Sequence, residues 1–220
     1  MKIAVLGAGG PTGVECVNAL TKAGHTLLAV VRDPAKYASP SPWPAGTEVR
    51  AGDVSGACAA ALAAKKLNAR YVLITSRLVD PKDFWHPIRI ILNTMKWGLM
   101  DAKFAGENAV RAVSQLDYVI IRPGGLVGGG ASAQSVSPRK NNFASPGTQH
   151  VLAAGQRDPE GLLRGARSIH RADVAAVVLR ALEDPGAVGK TVEIVARDRK
   201  TEDAAFEDNL KGLFAPISKD

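Results

Sequence analysis

A chain of 220 residues, 46% hydrophobic and 22% charged, can bury one core of its own, and this balance excludes the disordered, collagenous and disulfide-framework classes. The formal charge of +7 would suit a polyanion. The basic residues are scattered, however, with neither a Lys/Arg stripe nor interleaved aromatics, so nucleic acid is not an expected partner. Cys16 and Cys58 fall in helix-like segments without CxxC spacing and read as small buried hydrophobes in a reducing compartment; no metal-ligand cluster is legible. No apolar run reaches the roughly 18 residues of a membrane span, and no secretory-type leader precedes the first strand. The expected location is the cytoplasm, or an organelle stroma such as the chloroplast after removal of a transit peptide.

In chain order, Lys2 to Leu6 is a short apolar strand, GAGGPTG follows, and Val14 to Ala23 carries apolar residues at helical spacing before Gly24. Thr26 to Val31 is the second strand. Such a βαβ opening, repeated, predicts an α/β fold: a doubly wound parallel Rossmann sheet with right-handed crossovers and helices on both faces. Pro34 to Gly46, with Pro40, Pro42 and Pro44, reads as an exposed loop. Further strands are expected at Thr47 to Arg50, Tyr71 to Thr75, Tyr118 to Ile121, His150 to Ala154 and Thr191 to Ala196. Helices are expected at Ser55 to Lys66, Asp101 to Gln115, Ala172 to Glu183 and Thr201 to Leu213. Pro81 to Met100, with Trp85 and Trp97, reads as partly helical, either capping a crevice or facing a partner. Gly128 to Gly147 reads as a long functional loop. One domain over 1–220, with a small C-terminal substrate-side region, accounts for the whole pattern.

The chemistry concentrates at the ends of strands. Gly7, Gly10 and Gly13, with Gly9, Pro11 and Thr12 between them, join a strand to a helix. The first glycine permits a tight turn, the middle one lets a pyrophosphate approach, and the last lets helix and strand pack closely. The helix start then offers free N–H groups and a partial positive charge to the anion, and Pro11 suits a first helical turn. A nicotinamide dinucleotide is the implied cofactor. At the end of the second strand Arg32 precedes Asp33. An arginine there favours NADP over NAD, with Lys36 as a second cation, whereas Arg32-Asp33-Pro34 as a plain polar turn is the structural alternative. Asp53 and Val54, after the third strand, are adenine-side candidates, or Asp53 simply caps a helix.

GAGGPTG, VVRDP, AGDV, DAKFAGENAVRAVSQLDYVIIRPGGL and IHRADVAAVVLRAL together resemble the atypical short-chain dehydrogenase/reductase group, in particular its NAD(P)H-binding, NmrA-like branch. The resemblance spans most of the chain and implies a Rossmann fold with NAD(P), but no single reaction. Catalytic members carry Tyr-x-x-x-Lys, the lysine holding the nicotinamide ribose. Lys103 matches that lysine, and Leu99 stands where the tyrosine would be. An acid would then come from Ser76, His86 or water, with Arg77 as an anchor for an anionic substrate. By the same resemblance Thr75, Ser76 and Lys103, and the backbone of Pro123, Gly124, Gly125 and Leu126, lie beside the nicotinamide. Glu107, four residues after Lys103, offers a purely structural ion pair. His170, Arg171 and Asp173 open a helix, where Asp173 serves the helix dipole or a substrate. His25 reads as a surface residue. Two functions follow: an NADPH-dependent oxidoreductase on a small quinone-, flavin- or carbonyl-type substrate, and a non-catalytic NAD(P)H-binding sensor or assembly factor with a protein partner.

Overall fold

A computed structural model describes residues 1–37, 41–52, 57–128, 150–156, 168–198, 200–201 and 203–220. The opening unit is built as its pattern predicts. β1 (Lys2–Leu6) runs into the glycine turn, α1 (Pro11–Lys22) buries Val14, Cys16, Val17 and Leu20, and β2 (Thr26–Val31) returns parallel to β1. Gly24 ends α1 at a φ of 83°. Its N–H donates to Thr21 O at 2.9 Å and that of His25 to Leu20 O at 3.1 Å, the paired bonds of a glycine-terminated helix.

A 3₁₀ turn (Pro34–Tyr37), β3 (Glu48–Ala51), α2 (Ala57–Lys66) and β4 (Tyr71–Ile74) follow, then a 3₁₀ turn (Pro81–Asp83), α3 (Pro87–Met95) and α4 (Leu99–Arg111). The second half holds β5 (Tyr118–Pro123), β6 (Gly125–Val127), β7 (His150–Gly155), β8 (Ser168–His170), α5 (Arg171–Glu183), β9 (Lys190–Asp198) and α6 (Phe206–Lys211).

The strands form ladders in the order β3-β2-β1 and β4-β5-β9-β7, with β6 and β8 as a short separate pair. Every ladder is parallel except that of β7 with β9. This follows the doubly wound order, in three ladders among the described residues. One core spans both halves: α1 and α5 pack beneath Ile3, Val5, Ala29, Val72, Val119 and Ile121. Valine and alanine dominate the buried face of α5, and small side chains let it lie close against α1. On the other face Ala61 of α2 and Val110 of α4 cover Tyr71, Leu73 and Tyr118.

Four expectations need correction. The proline-rich stretch is not simply exposed: Trp43 is 5% exposed and stacks 5.0 Å from the Tyr37 ring, covering the core where proline forbids a helix. His25 is tucked in, with Nδ1 3.4 Å from the Met1 amino group and Nε2 3.7 Å from Glu183. The closing helix shrinks to α6, since Asp203 accepts the Lys200 N–H at 2.7 Å and holds the preceding chain in a turn. The last difference is β7, whose antiparallel direction periodicity cannot reveal, because both directions share the same alternation. The Gly128 to Gly147 loop lies outside the described residues apart from Gly128.

Candidate functional site

The glycine turn closes on itself at the end of β1. Gly7 has a φ of 76° and donates to Val30 O at 3.0 Å, while Gly10 N–H returns to Gly7 O at 3.0 Å. A Cβ at Gly13 would lie 2.8 Å from Ala8 Cα and closer still to Gly7 O, so helix and strand meet there as closely as the motif requires. At Gly10 the same test meets only Gly7 O, at 3.4 Å. The protein itself therefore leaves room at Gly10, on the side from which a ligand approaches. Pro11 is the first residue of α1 and Gly10 its N-cap, with no side chain capping the helix, so the N–H groups of Thr12 and Gly13 open the helix without an intrahelical acceptor. A cradle of this kind fits a pyrophosphate.

A fourth glycine, Gly9, has a role that spacing did not reveal. Tyr37 O–H donates to Gly9 O at 3.3 Å, and a Cβ at Gly9 would run into the phenol ring. Tyr37 also lines a cavity of about 340 Å³ with Arg32, Asp33 and Lys36. The end of β2 is thus pinned directly onto the glycine turn. Within this cavity Asp33 Oδ1 accepts the Ala35 N–H at 3.1 Å, and Lys36 Nζ stands 4.0 Å from Asp33 Oδ2. Asp33 is a turn-former here; Arg32 and Lys36 are exposed cations. Asp53 and Val54 lie outside the described residues.

The second half of the site gathers where β4 and β5 end. Thr75 N–H donates to Ile121 O at 2.9 Å and Arg77 N–H to Pro123 O at 2.9 Å, which holds half-buried Ser76 between them. Lys103 Nζ donates to the Thr75 carbonyl at 3.2 Å. Burial holds the Lys103 ammonium below the ordinary lysine range, against the pull of Glu107. Leu99 opens α4 one turn earlier and is half-buried. Gly124 N–H bonds Ile194 O at 2.9 Å, and Gly125 and Leu126 enter the β6–β8 pair. Beside that pair Arg171 donates to Gly128 O at 2.5 Å. Asp173 is buried in the first turn of α5.

Glu107 is not the partner of Lys103 that the helical spacing suggested. It is fully buried and accepts from Arg122 Nε at 3.0 Å and Nη2 at 2.7 Å, from Thr75 Oγ1 at 2.6 Å and from Arg111 Nη2 at 3.1 Å. Arg122, 3% exposed, also stands 3.4 Å from Glu193 and 3.7 Å from Asp80. Burial pushes the Glu193 carboxyl up, opposed by Arg122 and Arg77. This network braces the floor under Thr75 and Lys103. Sequence reading missed it; the only signal was a glutamate on the same helical face as buried Met100 and Val110.

The tryptophan-bearing segment is helical in part, as α3, which turns Ile91 and Met95 outward, while exposed Trp85 lies just before it and Trp97 just beyond its end. Its anchor is Arg89, 2% exposed, which donates to Leu78 O at 2.6 Å, Asp80 O at 3.1 Å and Asp101 Oδ1 at 2.5 Å. His86 caps α3 through its Nδ1, 3.3 Å from Ile88 N.

Solved structures share this architecture. A Bacillus halodurans protein described as an NAD-dependent epimerase/dehydratase superposes with a TM-score of 0.69 at 19% identity, over 97% of this chain and 100% of that one. A short-chain dehydrogenase/reductase from Veillonella parvula in complex with NADP gives 0.63 at 14% identity, over 88% and 94%. An anaerobilin reductase from Escherichia coli O157:H7 gives 0.61 at 20% identity, over 91% and 99%. No curated protein shows significant similarity to the sequence. The profile of the NAD(P)H-binding family matches residues 55–185, more than half of the chain and including Lys103 and the Arg122-Pro123-Gly124 strand end, and the chain belongs to that NAD(P)H-binding family.

Proposed function

We propose that the protein is an NADP(H)-dependent oxidoreductase acting on a small quinone-, flavin- or carbonyl-type substrate without a helix tyrosine. The observation that carries this reading is the Arg32–Lys36–Tyr37 cavity joined to the glycine turn through the Tyr37–Gly9 bond. Exposed guanidinium and ammonium groups there offer a 2′-phosphate two cations, and the one nearby carboxylate is engaged by its own turn.

The nicotinamide supplies the hydride chemistry when bound. The chain's own contribution is placement: the α1 N-terminus binds the pyrophosphate, Arg32 and Lys36 take the 2′-phosphate, and Lys103, fixed on the Thr75 carbonyl, holds the nicotinamide ribose. Leu99 has no proton to give. A substrate whose reduced form takes its proton from water suits such a site, as a quinone or flavin does, and half-buried Ser76, next to the Thr75 carbonyl that holds Lys103, is the candidate hydroxyl. Other Rossmann structures that share the fold are named for anaerobilin and NADH-flavin reduction, which agrees with this substrate class.

Fluorescence titration of the chain and of Arg32→Ala with NADPH and NADH tests the cofactor. NADPH binding tighter by about tenfold, ~1.4 kcal/mol, with the difference lost in Arg32→Ala, supports the reading; equal affinities overturn it. NADPH oxidation across quinone, flavin and carbonyl acceptors tests the reaction. Binding without turnover of any acceptor would instead favour a nucleotide-dependent sensor, the reading that Leu99 supports.

A further inference from the structure

The cavity at the end of β2 carries less positive charge than its assigned ligand brings negative. Arg32, Asp33, Lys36 and Tyr37 line it, so two cations stand beside one carboxylate, and Lys36 Nζ lies 4.0 Å from Asp33 Oδ2. A phosphate monoester carries a charge of about −1.5 to −2 at pH 7 on three strong acceptor oxygens. A guanidinium forks onto two such oxygens, while the Lys36 ammonium is shared with Asp33. This leaves acceptor capacity that a neutral donor fills without adding a charge that Asp33 would offset.

Tyr37 is that donor by position. It closes the 3₁₀ turn that Asp33 Oδ1 fixes by accepting the Ala35 N–H at 3.1 Å. Its half-buried ring is backed by Trp43, which is buried, with the two ring centroids 5.0 Å apart. The turn and the indole thus limit where the phenol can go. Its hydroxyl stands on the glycine turn, because a Cβ at Gly9 would run into Tyr37 Oη and Cζ. The phenol therefore takes the place that a side chain at position 9 would fill.

The bond that this hydroxyl makes is a weak one. It donates to Gly9 O at 3.3 Å, beyond the roughly 2.5–3.0 Å of an O–H···O hydrogen bond. A charged acceptor forms a shorter bond of about twice the strength, and a hydroxyl hydrogen turns to suit its acceptor. The O–H gains by exchanging the carbonyl for a phosphate oxygen.

We infer that Tyr37 is a specificity-determining residue of the dinucleotide site: its hydroxyl leaves Gly9 O and donates to the 2′-phosphate, as a third ligand beside Arg32 and Lys36. The inference rests on the NADP(H) reading of this cavity and adds a ligand that discriminates by hydrogen bonding rather than by charge. NADH offers a neutral ribose hydroxyl at the same place, an acceptor no better than the carbonyl the O–H already has. Only the phosphorylated nucleotide gains from Tyr37.

Calorimetric titration of the full chain with adenosine 2′,5′-bisphosphate and with adenosine 5′-monophosphate tests this, since the two probes differ by the 2′-phosphate alone and neither carries the nicotinamide. The parent should bind the bisphosphate more tightly. Tyr37→Phe removes the hydroxyl and keeps the ring against Trp43. It should weaken the bisphosphate about tenfold, ~1.4 kcal/mol, the scale of a hydrogen bond to a charged group, and leave the monophosphate unchanged. Full bisphosphate affinity in Tyr37→Phe overturns the inference. So does an equal loss for both probes, which makes Tyr37 a brace of the turn instead of a phosphate ligand. A parent that binds both probes equally overturns the NADP(H) reading itself, and the inference with it.

Discussion

Removing the Glu107 carboxylate should be the most damaging single change at the floor of the site. Glu107→Ala leaves Arg122, 3% exposed, without its two closest acceptors, at 3.0 and 2.7 Å, and only the longer contacts to Glu193 and Asp80 at 3.4 and 3.7 Å remain. Stranding one partner of a buried ion pair costs about 3–5 kcal/mol, a large share of a typical domain stability of about 5–15 kcal/mol. Urea unfolding followed by circular dichroism should show a midpoint lower by about 1–2 M, for a slope near 2.5 kcal/mol/M. Replacing both charges by apolar groups, Glu107→Leu with Arg122→Met, should recover most of the loss, because the desolvation cost of the pair disappears with its attraction. A loss below about 1 kcal/mol for Glu107→Ala, the scale of an exposed pair, would refute the dry network. So would a double variant as unstable as the sum of the two single ones.

The glycine turn separates packing from ligand approach. Gly13→Ala drives a Cβ into backbone at Ala8 and should cost about 1–3 kcal/mol by thermal melting, whereas Gly10→Ala, with ordinary clearance, should fold normally and lose NADPH affinity. Equal melting losses in both would contradict the cradle. Lys103→Met should lower NADPH affinity with little loss of stability at neutral pH. Because burial depresses the Lys103 pKa, its charged form costs folding energy below the folded value, and that cost fades as pH rises through it. The parent should therefore gain stability relative to Lys103→Met between pH 7 and 10, read from paired urea midpoints; no relative gain would refute this. Burial, followed by nearby Glu15, pushes the Cys16 thiol up to about 12, so peptide mapping after native alkylation at pH 8 should find Cys16 unmodified, and labelled only in urea.

Much of this protein is written locally. The turn at Gly7 to Gly13, the helix stop at Gly24 and the strand-end Arg32 depend on backbone freedom, proline, and residues within a turn of one another, and each is placed where its neighbours in sequence demand. Lys103 stood out only through the family resemblance of its helix, and the fold sets it on the Thr75 carbonyl. Tertiary structure decided what spacing cannot encode. Tyr37 reaches Gly9 across 28 residues, and Glu107, which keeps the contact to Arg111 on its own helix, turns from Lys103 to Arg122 because α4 presents it to the β5 end. The same holds for the direction of β7. Periodicity states which face of an element is apolar, but an alternating strand reads alike whether a neighbour, or nothing, lies beside its backbone. That outcome depends on which elements meet, and only the folded chain brings them together.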